Sequence, residues 1–371
     1  MIIRQPDNCR DKYGGFTRIR ARATGFFRVE QLSGRWWLIT PEGHGFLSVG
    51  VNHVDYKEDY SPEFVEFVCS HLFDWGFNTI GWSQETMSSE FIKGQVIHSR
   101  GWGQEQYEYV DLPYIHLLRF TDIEWYVNEE FPDVFSSAFA DKCDKIAREF
   151  CSQMCNDPKL MGYFYSDTPN WPKWAYITGH NLKKKLDQLN FQNLAAQYYQ
   201  VIHDAIQRYD KNHLLFGDRY KGNQVIPVND IVTNGLPDCV LEAMQRTVDV
   251  LSIEYFAGFK TMQADLGYWY QFSGKPILLA DSAFLAPTDT LKIRPEVEIY
   301  VPDQTERGLA YQRFARQAFS CPWIIGWHWC AFGCSQGRKS GLLNGADCPY
   351  DECVNLMKTF NTRELYTVSA K

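Results

Sequence analysis

The sequence lacks the features that mark membrane, nucleotide-binding and nucleic-acid-binding proteins. Its 371 residues contain no run of about 18 apolar residues, so no segment is long enough to span a bilayer. No G-x-G-x-x-G or P-loop pattern follows an expected strand, which disfavours nucleotide binding. An excess of basic residues is also missing, since the formal net charge is −8 and the isoelectric point is about 5.6. The long-range field therefore favours neither nucleic acid nor an anionic membrane as a partner.

Cysteine is present but does not form the usual paired motifs. The 11 cysteines are an odd number and are scattered from Cys9 to Cys353, with no C-x-x-C spacing. We therefore expect reduced, mostly buried thiols. Four of them approach the spacing of loose zinc sites without matching the tighter form: Cys330, Cys334, Cys348 and Cys353. The sequence implies no metal and no organic cofactor.

Apolar runs and helical patterns alternate along the chain. Eight short runs are apolar enough for strands buried on both faces, and most precede apolar residues at helical spacing. Eight β units alternating with helices predict a (β/α)₈ TIM barrel, because a doubly wound sheet has fewer strands and a glycine-rich phosphate turn. The predicted strands are 45–53, 77–82, 114–120, 160–165, 214–218, 248–255, 276–281 and 324–329. The predicted helices are 62–75, 138–154, 189–209, 261–272 and 304–320.

The N-terminal region precedes the first barrel unit. Two β-type runs flank the turn signal Ser33-Gly34, so we place an arm and a β-hairpin cap at residues 1–44 and the barrel domain at 45–371. The first residues lack the apolar core and the cleavage site of a signal peptide. We expect a cytoplasmic protein, or a secreted or periplasmic one if a leader has been removed.

Acidic residues stand at the ends of four successive predicted strands. They are Asp167, Asp218, Glu254 and Asp281. Because parallel strands present their carboxyl ends to one face of a barrel, these acids are expected to converge on one cleft. Like charges in a shared pocket push their pKa values apart, as a general acid and a general base require. A single strand-end acid can instead pair with a neighbouring cation, which fits Asp218 beside Arg219.

Aromatic and polar side chains accompany these acids. Aromatic residues make up 16% of the sequence, which suits either an aromatic-rich core or a cleft that stacks on flat ligand faces. Stacking platforms combined with paired carboxylates favour a carbohydrate substrate. The predicted substrate-binding residues are His53, Trp82, His116, Trp171, Trp174, Asp218, Arg219, Tyr255, Trp327, His328 and Trp329. Each histidine, taken singly, fits a satisfied core group slightly better than a ligand contact.

Several segments carry a family resemblance. Residues 25–30 (Gly-Phe-Phe-Arg-Val-Glu), 34–44 (Gly-Arg-Trp-Trp-Leu-Ile-Thr-Pro-Glu-Gly-His) and 48–53 (Ser-Val-Gly-Val-Asn-His) resemble the amino-terminal part of β-agarase-like glycoside hydrolases. These enzymes belong to the retaining clan A of (β/α)₈ barrels. The similarity covers the chain from about Gly25 to Tyr366 and continues through 75–79, 156–164 and 274–279.

The resemblance implies glycosidase activity, with two altered positions. In such enzymes the fourth strand ends in Asn-Glu, whose Glu is the general acid/base, and the seventh ends in a nucleophilic Glu. Asp167 and Thr168 stand at the Asn-Glu positions here, and Asp281 stands at the nucleophile position. A threonine hydroxyl cannot deliver a proton near neutral pH, so the acid role passes to Asp167 or Glu254. The predicted catalytic residues are therefore Asp167, Glu254 and Asp281.

The sequence thus predicts a glycoside hydrolase that acts on a galactose-containing or related oligosaccharide or polysaccharide. Because Asp is one methylene shorter than Glu, the carboxyl pair is expected to stand farther apart and to invert the anomeric configuration. Two alternatives stay open. One is a barrel that binds carbohydrate without turnover, and the other is a metal-dependent hydrolase or lyase that uses His53, His116 and His328 with the acids. A homo-oligomer is compatible with the sequence.

Overall fold

Parallel strands close into a barrel at the centre of the molecule. The computed structural model describes residues 9–87, 97–121, 132–167, 188–222, 236–288, 298–334 and 339–369. Within these residues eight parallel strands form the ring and follow one another in chain order, and a separate four-stranded antiparallel sheet precedes them. The predicted (β/α)₈ barrel with an N-terminal β cap is therefore confirmed.

The strands agree closely with the apolar runs of the sequence. The cap sheet contains β1 (Phe16–Arg20), β2 (Arg28–Leu32), β3 (Arg35–Ile39) and β4 (His44–Phe46). A short antiparallel pair, β7 (Thr86–Met87) and β8 (Ile97–His98), stands outside the barrel. The barrel strands are β5 (Ser48–Val51), β6 (Thr79–Ile80), β9 (Tyr114–Leu117), β10 (Leu160–Asp167), β11 (Leu214–Lys221), β12 (Leu251–Glu254), β13 (Ile277–Ser282) and β14 (Ile324–Trp329).

Helices surround the barrel, and their ends follow local sequence signals. At the first helix, Pro62 occupies the first turn and the Ser61 hydroxyl accepts a hydrogen bond from the Phe64 amide at 3.2 Å. The helices are α1 (Pro62–Asp74), α2 (Gln104–Tyr107), α3 (Ser137–Met154), α4 (Gln188–Tyr209), α5 (Asp238–Thr247), α6 (Phe259–Ser273), α7 (Gln304–Ser320), α8 (Asp351–Thr359) and α9 (Leu365–Ser369). No helix of the described residues is long and apolar enough to cross a membrane.

The cap is a four-stranded sheet rather than a hairpin alone. The predicted turn joins β2 to β3, and Ser33 and Gly34 have φ values of 52° and 81°. Positive φ at both positions is what a type I′ hairpin turn requires. β1 adds a strand within the segment that the sequence predicted to be an irregular arm. The sheet order is β1-β4-β3-β2, and the boundary proposed at residue 44 falls inside β4.

The cap closes the amino-terminal end of the barrel. The Trp36 amide donates a hydrogen bond to the Pro322 carbonyl at 2.7 Å, and the Arg35 guanidinium donates to the Ile324 carbonyl at 3.1 Å. Cap and barrel interior share one apolar cluster, which contains Tyr13, Phe27, Leu38, Phe46, Trp82, Ile115, Leu117, Met161, Phe164, Leu214, Phe216, Val250, Leu278, Ala280 and Ile325. A ligand site is therefore expected at the opposite, carboxyl end of the strands.

The cysteines form no disulfide, whereas the prediction that most of them are buried is wrong. All 11 lie within the described residues and none forms a disulfide. Four are buried and six are partly buried, whereas Cys348 is exposed.

Candidate active site

A buried arginine lies among carboxylates at the carboxyl end of the barrel. Arg219, on β11, has no exposed surface and makes ion pairs of 2.9 Å with Asp167 and with Asp281. Its guanidinium carbon lies 4.0 Å from the centroid of the Trp82 ring. Burial opposes the charge, but the carboxylates of Asp167, Asp281 and Glu254 outweigh burial and raise the pKa of the guanidinium. Arg219 is therefore a permanent cation in this site.

Asp281, on β13, is held by several neighbours. Its Oδ1 accepts a hydrogen bond from Asn52 Nδ2 at 2.6 Å. Its Oδ2 lies 2.9 Å from Arg219 Nη2 and 3.6 Å from His53 Nε2. A carboxylate that is contacted at both oxygens is fixed in orientation, which is a requirement for a group that acts on a bound substrate.

Asp167 and Glu254 complete a group of three carboxylates. Asp167, the last residue of β10, is only partly buried, and its Oδ1 contacts Arg219. Glu254, the last residue of β12, is buried and stands opposite Asp281 on the adjacent strand. When all four groups are ionised, three carboxylates and one guanidinium give a formal charge of −2. The predicted catalytic acids therefore lie together at the mouth of the barrel.

The strands that carry these acids pair irregularly. The register between β10 and β11 shifts on both sides of Phe164, and the two shifts cancel, so that Asp167 stands opposite Arg219. The register between β12 and β13 shifts between Ile253 and Glu254. An extra residue in one strand re-aims the side chains that follow it, and such bulges are common beside active sites.

His53 and Trp82 lie beneath this group. The ring of His53 donates from Nδ1 to the Gln84 carbonyl at 2.8 Å, and its Nε2 accepts a hydrogen bond from Trp82 Nε1 at 3.3 Å. The backbone of His53 is left-handed, with φ of 54°, which costs energy in a non-glycine residue and is frequent at functional sites. Trp82 has no exposed surface. It supports Arg219, so the prediction that it stacks on substrate is wrong.

Asp218 does not join the other acids. It is the neighbour of Arg219 on β11 and faces away from the barrel interior, because adjacent strand residues point to opposite sides. Tyr198 and Tyr199 of α4 donate hydrogen bonds to its two oxygens at 2.9 and 2.5 Å. The carboxylate is fully buried. The prediction that Asp218 binds substrate is therefore wrong, and its role is to connect the barrel with α4.

Trp327 and Trp329 lie between β14 and α7. The Trp327 ring stacks on Tyr311 with centroids 4.6 Å apart, and the Trp329 ring packs against the Arg307 guanidinium at 5.0 Å. Both tryptophans are buried. Strand alternation turns them outward and turns His328 inward. The prediction that the two rings form stacking platforms at the rim is wrong.

We expect Trp329→Ala to lower the free energy of unfolding by about 3–5 kcal/mol, because the substitution leaves a cavity between the barrel and α7. Substrate binding should change little. Urea unfolding measures the loss, and Phe135→Ala, at a ring that is 62% exposed, is the control. An unfolding midpoint close to that of wild type, with weakened ligand binding, would contradict the assignment of Trp329 to the core.

Tyr255 and His116 also face outward. Tyr255 donates a hydrogen bond to Asp265 of α6 at 2.9 Å. The His116 ring lies near Tyr107 and Phe150, with centroids 6.1 and 5.2 Å away. Burial lowers the pKa of His116 to about 4, so its imidazole is neutral. The prediction that these two residues bind substrate is wrong for both.

His116 is expected to make the folded protein less stable at acidic pH. Its ordinary pKa is 6.5 and its folded-state pKa is about 4. Between these values the unfolded chain binds a proton that the folded chain does not. The contribution of His116 to the free energy of unfolding is therefore fully present above pH 6.5 and is lost as the pH drops toward 4. His116→Phe should flatten this part of a plot of urea midpoint against pH. His203→Gln, at a partly exposed histidine, is the control. A profile that is unchanged in His116→Phe would contradict the prediction.

His328 lies inside the barrel below the carboxylates. Its Nε2 is 2.8 Å from the Ser48 hydroxyl, and the residue has no exposed surface. Burial, with a further contribution from Arg219, lowers its pKa to about 3, so the ring is neutral. Its ring contacts Ser48 of β5 inside the barrel, and the prediction that it binds substrate is wrong. The metal-binding trio of His53, His116 and His328 does not assemble, because His116 lies on the outer face of the barrel.

Sequence reasoning missed two residues of the site, Asn52 and Cys330. Trp171, Trp174 and Thr168 lie outside the described residues, so their roles remain predictions. Asn52, which orients Asp281, stands at the end of the first predicted strand and could have been found by the same strand-end argument as the acids. It approaches Gly81 closely, since a Cβ there would lie 1.9 Å from its Oδ1. Cys330, directly after β14, is grouped in the sequence only with other cysteines and not with His53 or Asp281.

The comparisons with known proteins concern the fold. No protein-family model matches the chain, and no curated protein matches its sequence. An exo-β-agarase superposes with a TM-score of 0.72 at 17% identity, over 98% of this chain and 69% of that one. BpGH50 gives 0.71 at 18% identity, over 98% and 87%. A β-glucuronidase from Dictyoglomus thermophilum gives 0.59 at 13% identity, over 91% and 54%. The chain therefore has the (β/α)₈ barrel fold of agarases and glucuronidases.

Proposed function

We propose that this protein is a glycoside hydrolase that cleaves a galactose-containing or related oligosaccharide at the carboxyl end of its barrel. The observation that carries the proposal is the group of Asp167, Glu254 and Asp281 around the Arg219 guanidinium. Hydrolysis of a glycosidic bond uses two carboxyl groups with different roles. The solved structures with the same fold are named as agarases and glucuronidases, which supports carbohydrate as the substrate class.

Asp281 is the proposed general base that activates water. Arg219 and Asn52 contact its two oxygens and stabilise the ionised form that a base needs. It lies on the seventh barrel strand, whereas Asp167 lies on the fourth. The two carboxylates are therefore separated around the ring by Arg219 on the fifth strand and Glu254 on the sixth.

The proton donor is Asp167 or Glu254. The ion pair with Arg219 stabilises the charged form of Asp167, which weighs against Asp167 as the donor. Leaving-group dependence separates the two. An aryl glycoside with a very acidic leaving group needs no protonation, so the variant that lacks the true donor should retain turnover of that substrate and lose turnover of a natural glycan. Turnover of the aryl glycoside and of the natural glycan is therefore measured for Asp167→Asn and for Glu254→Gln.

Inversion of the anomeric configuration is part of the proposal. Two contacts of 2.9 Å and the two C–N bonds of the guanidinium place the paired oxygens of Asp167 and Asp281 at most about 8.5 Å apart, a limit that admits either stereochemistry, so the proposal rests on the shorter side chain of Asp. An inverting pair needs roughly 6.5–9.5 Å to admit a water, and a retaining pair about 5–5.5 Å. NMR of the first-formed anomer decides between them, and a covalent glycosyl-enzyme at Asp281 would exclude inversion.

A panel of oligosaccharides tests the proposed function. The purified protein is incubated with agar-derived, β-galactoside and glucuronide oligosaccharides, and products are detected by mass spectrometry. We expect cleavage of a galactose-containing member by the wild type and none by Asp281→Asn. Cleavage at the same rate by Asp281→Asn would contradict the assigned site. Absence of products from every member would contradict hydrolysis of these glycans.

A barrel that binds carbohydrate without turnover is the second candidate. The observation that favours it is the position of Arg219, which pairs with two of the three carboxylates and so opposes protonation of either. Calorimetric titration with the same panel distinguishes the two. Saturable binding without products supports the second candidate, and products support the first.

A further inference from the structure

Three side chains of different chemistry converge beside Arg219. The ligand atoms of His53, Asp281 and Cys330 all lie within 4.8 Å of one another, and all three residues are buried. An imidazole, a carboxylate and a thiolate are the ligand types that zinc binds in proteins. We propose that this cluster binds one thiophilic divalent cation such as Zn²⁺. The bound cation prevents Asp281 from acting as the general base.

His53 is already oriented as a ligand. Metal-binding histidines usually donate one ring nitrogen to a carbonyl or carboxylate and coordinate through the other. Here Nδ1 donates to the Gln84 carbonyl at 2.8 Å, and Nε2 lies 3.6 Å from Asp281 Oδ2. Nε2 would give up its 3.3 Å hydrogen bond from Trp82 Nε1 when it binds the metal, because it has a single lone pair. With metal–nitrogen and metal–oxygen distances near 2.0 Å, two ligands of a tetrahedral zinc ion stand about 3.3 Å apart. The observed separation therefore needs only a small contraction.

Asp281 also has the supporting contact that a ligand carboxylate requires. Asn52 donates to its Oδ1 at 2.6 Å, and ligand carboxylates are normally hydrogen-bonded in this way. Oδ2 also contacts Arg219, but a carboxylate oxygen offers more than one lone pair and can contact both cations.

The charge of the site favours a cation in spite of Arg219. The three carboxylates and the guanidinium carry a formal charge of −2 when all are ionised. The Cys330 thiolate would make this −3, so a divalent ion would bring the site to −1. The thiol of Cys330 loses its proton to water when the sulfur–metal bond forms, so the sulfur binds as a thiolate. In the described residues a second group of potential ligands, Asp11, Glu42 and His44, contains no sulfur and includes the exposed Glu42, so it does not select a thiophilic ion.

Cobalt binding tests the site directly, without any need for turnover. Co²⁺ is titrated into the full-length protein, and a charge-transfer band from thiolate to cobalt reports a bond to sulfur. We expect one equivalent to give the band and Zn²⁺ to displace it. Cys330→Ser should abolish the band, and His53→Gln should weaken binding by at least about tenfold. Cys334→Ser and Cys348→Ser are matched controls from the same region and should keep it.

The outcomes separate this inference from the proposed function. A band that survives in Cys330→Ser, or that disappears in Cys334→Ser or Cys348→Ser, would overturn the site. Blocking rests on the proposed role of Asp281, so Zn²⁺ should abolish wild-type turnover in parallel with displacement of cobalt. Full turnover with the site occupied would overturn the blocking. Absence of turnover in the metal-free protein would count against the proposed function, while the cobalt titration would still decide the site.

Discussion

Arg219→Met is expected to destabilise the protein by about 3–5 kcal/mol, the largest effect of any single substitution in the site. The arginine is fully buried and is surrounded by the carboxylates of Asp167, Glu254 and Asp281. A methionine side chain is nearly as long as that of arginine but lacks the positive charge that pairs with these carboxylates. Three carboxylates would then repel one another in a poorly solvated space. Urea unfolding at neutral pH measures the loss.

Two further measurements separate electrostatics from packing. The deficit of Arg219→Met should shrink at acidic pH, because protonation of the carboxylates removes their repulsion. Arg219→Lys keeps the charge but lacks the planar fork that contacts two carboxylates at once, so it should be destabilised less than the methionine variant. Equal losses in the two variants, independent of pH, would show that Arg219 contributes by packing and not by charge.

Asp281→Asn is expected to reduce turnover by a factor on the order of 10⁴, the usual scale for removal of a catalytic carboxylate. The fold should persist, because Arg219 keeps its ion pair with Asp167 and the formal charge of the group becomes less negative. Initial rates on the best glycan of the panel give the first quantity, and thermal unfolding gives the second. Rates like those of wild type in a folded variant would refute the catalytic assignment.

Asp218→Asn is the matched control for this experiment. Both aspartates are buried near the carboxyl ends of barrel strands, β11 and β13, yet Asp218 faces α4 and accepts hydrogen bonds from Tyr198 and Tyr199. Its replacement should cost about 1–3 kcal/mol of stability through the disturbed hydrogen bonds and should leave turnover nearly unchanged. The opposite pattern, a stable protein without turnover, would show that the two acids have been assigned to the wrong faces.

The fold was predictable because its signals are local and repeated. Each barrel strand is a short apolar run, and the long helices carry apolar residues at helical spacing, so their order could be read directly. Shorter elements were missed. α5 (Asp238–Thr247) and α2 (Gln104–Tyr107) have too few turns to give a clear pattern, and β1 (Phe16–Arg20) lies in a segment rich in basic residues.

The site was predicted only in part because alternate residues of a strand face opposite sides, and the sequence does not show which set faces the barrel interior. A strand buried on both faces shows no polar side, so the sequence does not reveal which of Trp327, His328 and Trp329 enters the barrel. Irregular register is a second reason, since the shifts on both sides of Phe164 interrupt the regular alternation of β10 before Asp167 and have no signal in the sequence. Strand-end position therefore predicted that Asp167, Glu254 and Asp281 lie together, while Asp218 and the outward aromatic residues lie elsewhere and the catalytic roles stay predictions.

The contact between the cap and the last barrel strand has a consequence for synthesis of the chain. The Arg35 guanidinium bonds to the carbonyl of Ile324, 289 residues later. During translation the apolar face of the cap, including Phe27 and Leu38, has no barrel interior to cover it until nearly the whole chain has left the ribosome. Contacts of such long sequence separation form late and leave apolar surface open to aggregation. Until the last strand is made, the apolar face of the cap is therefore open to association with other unfolded chains.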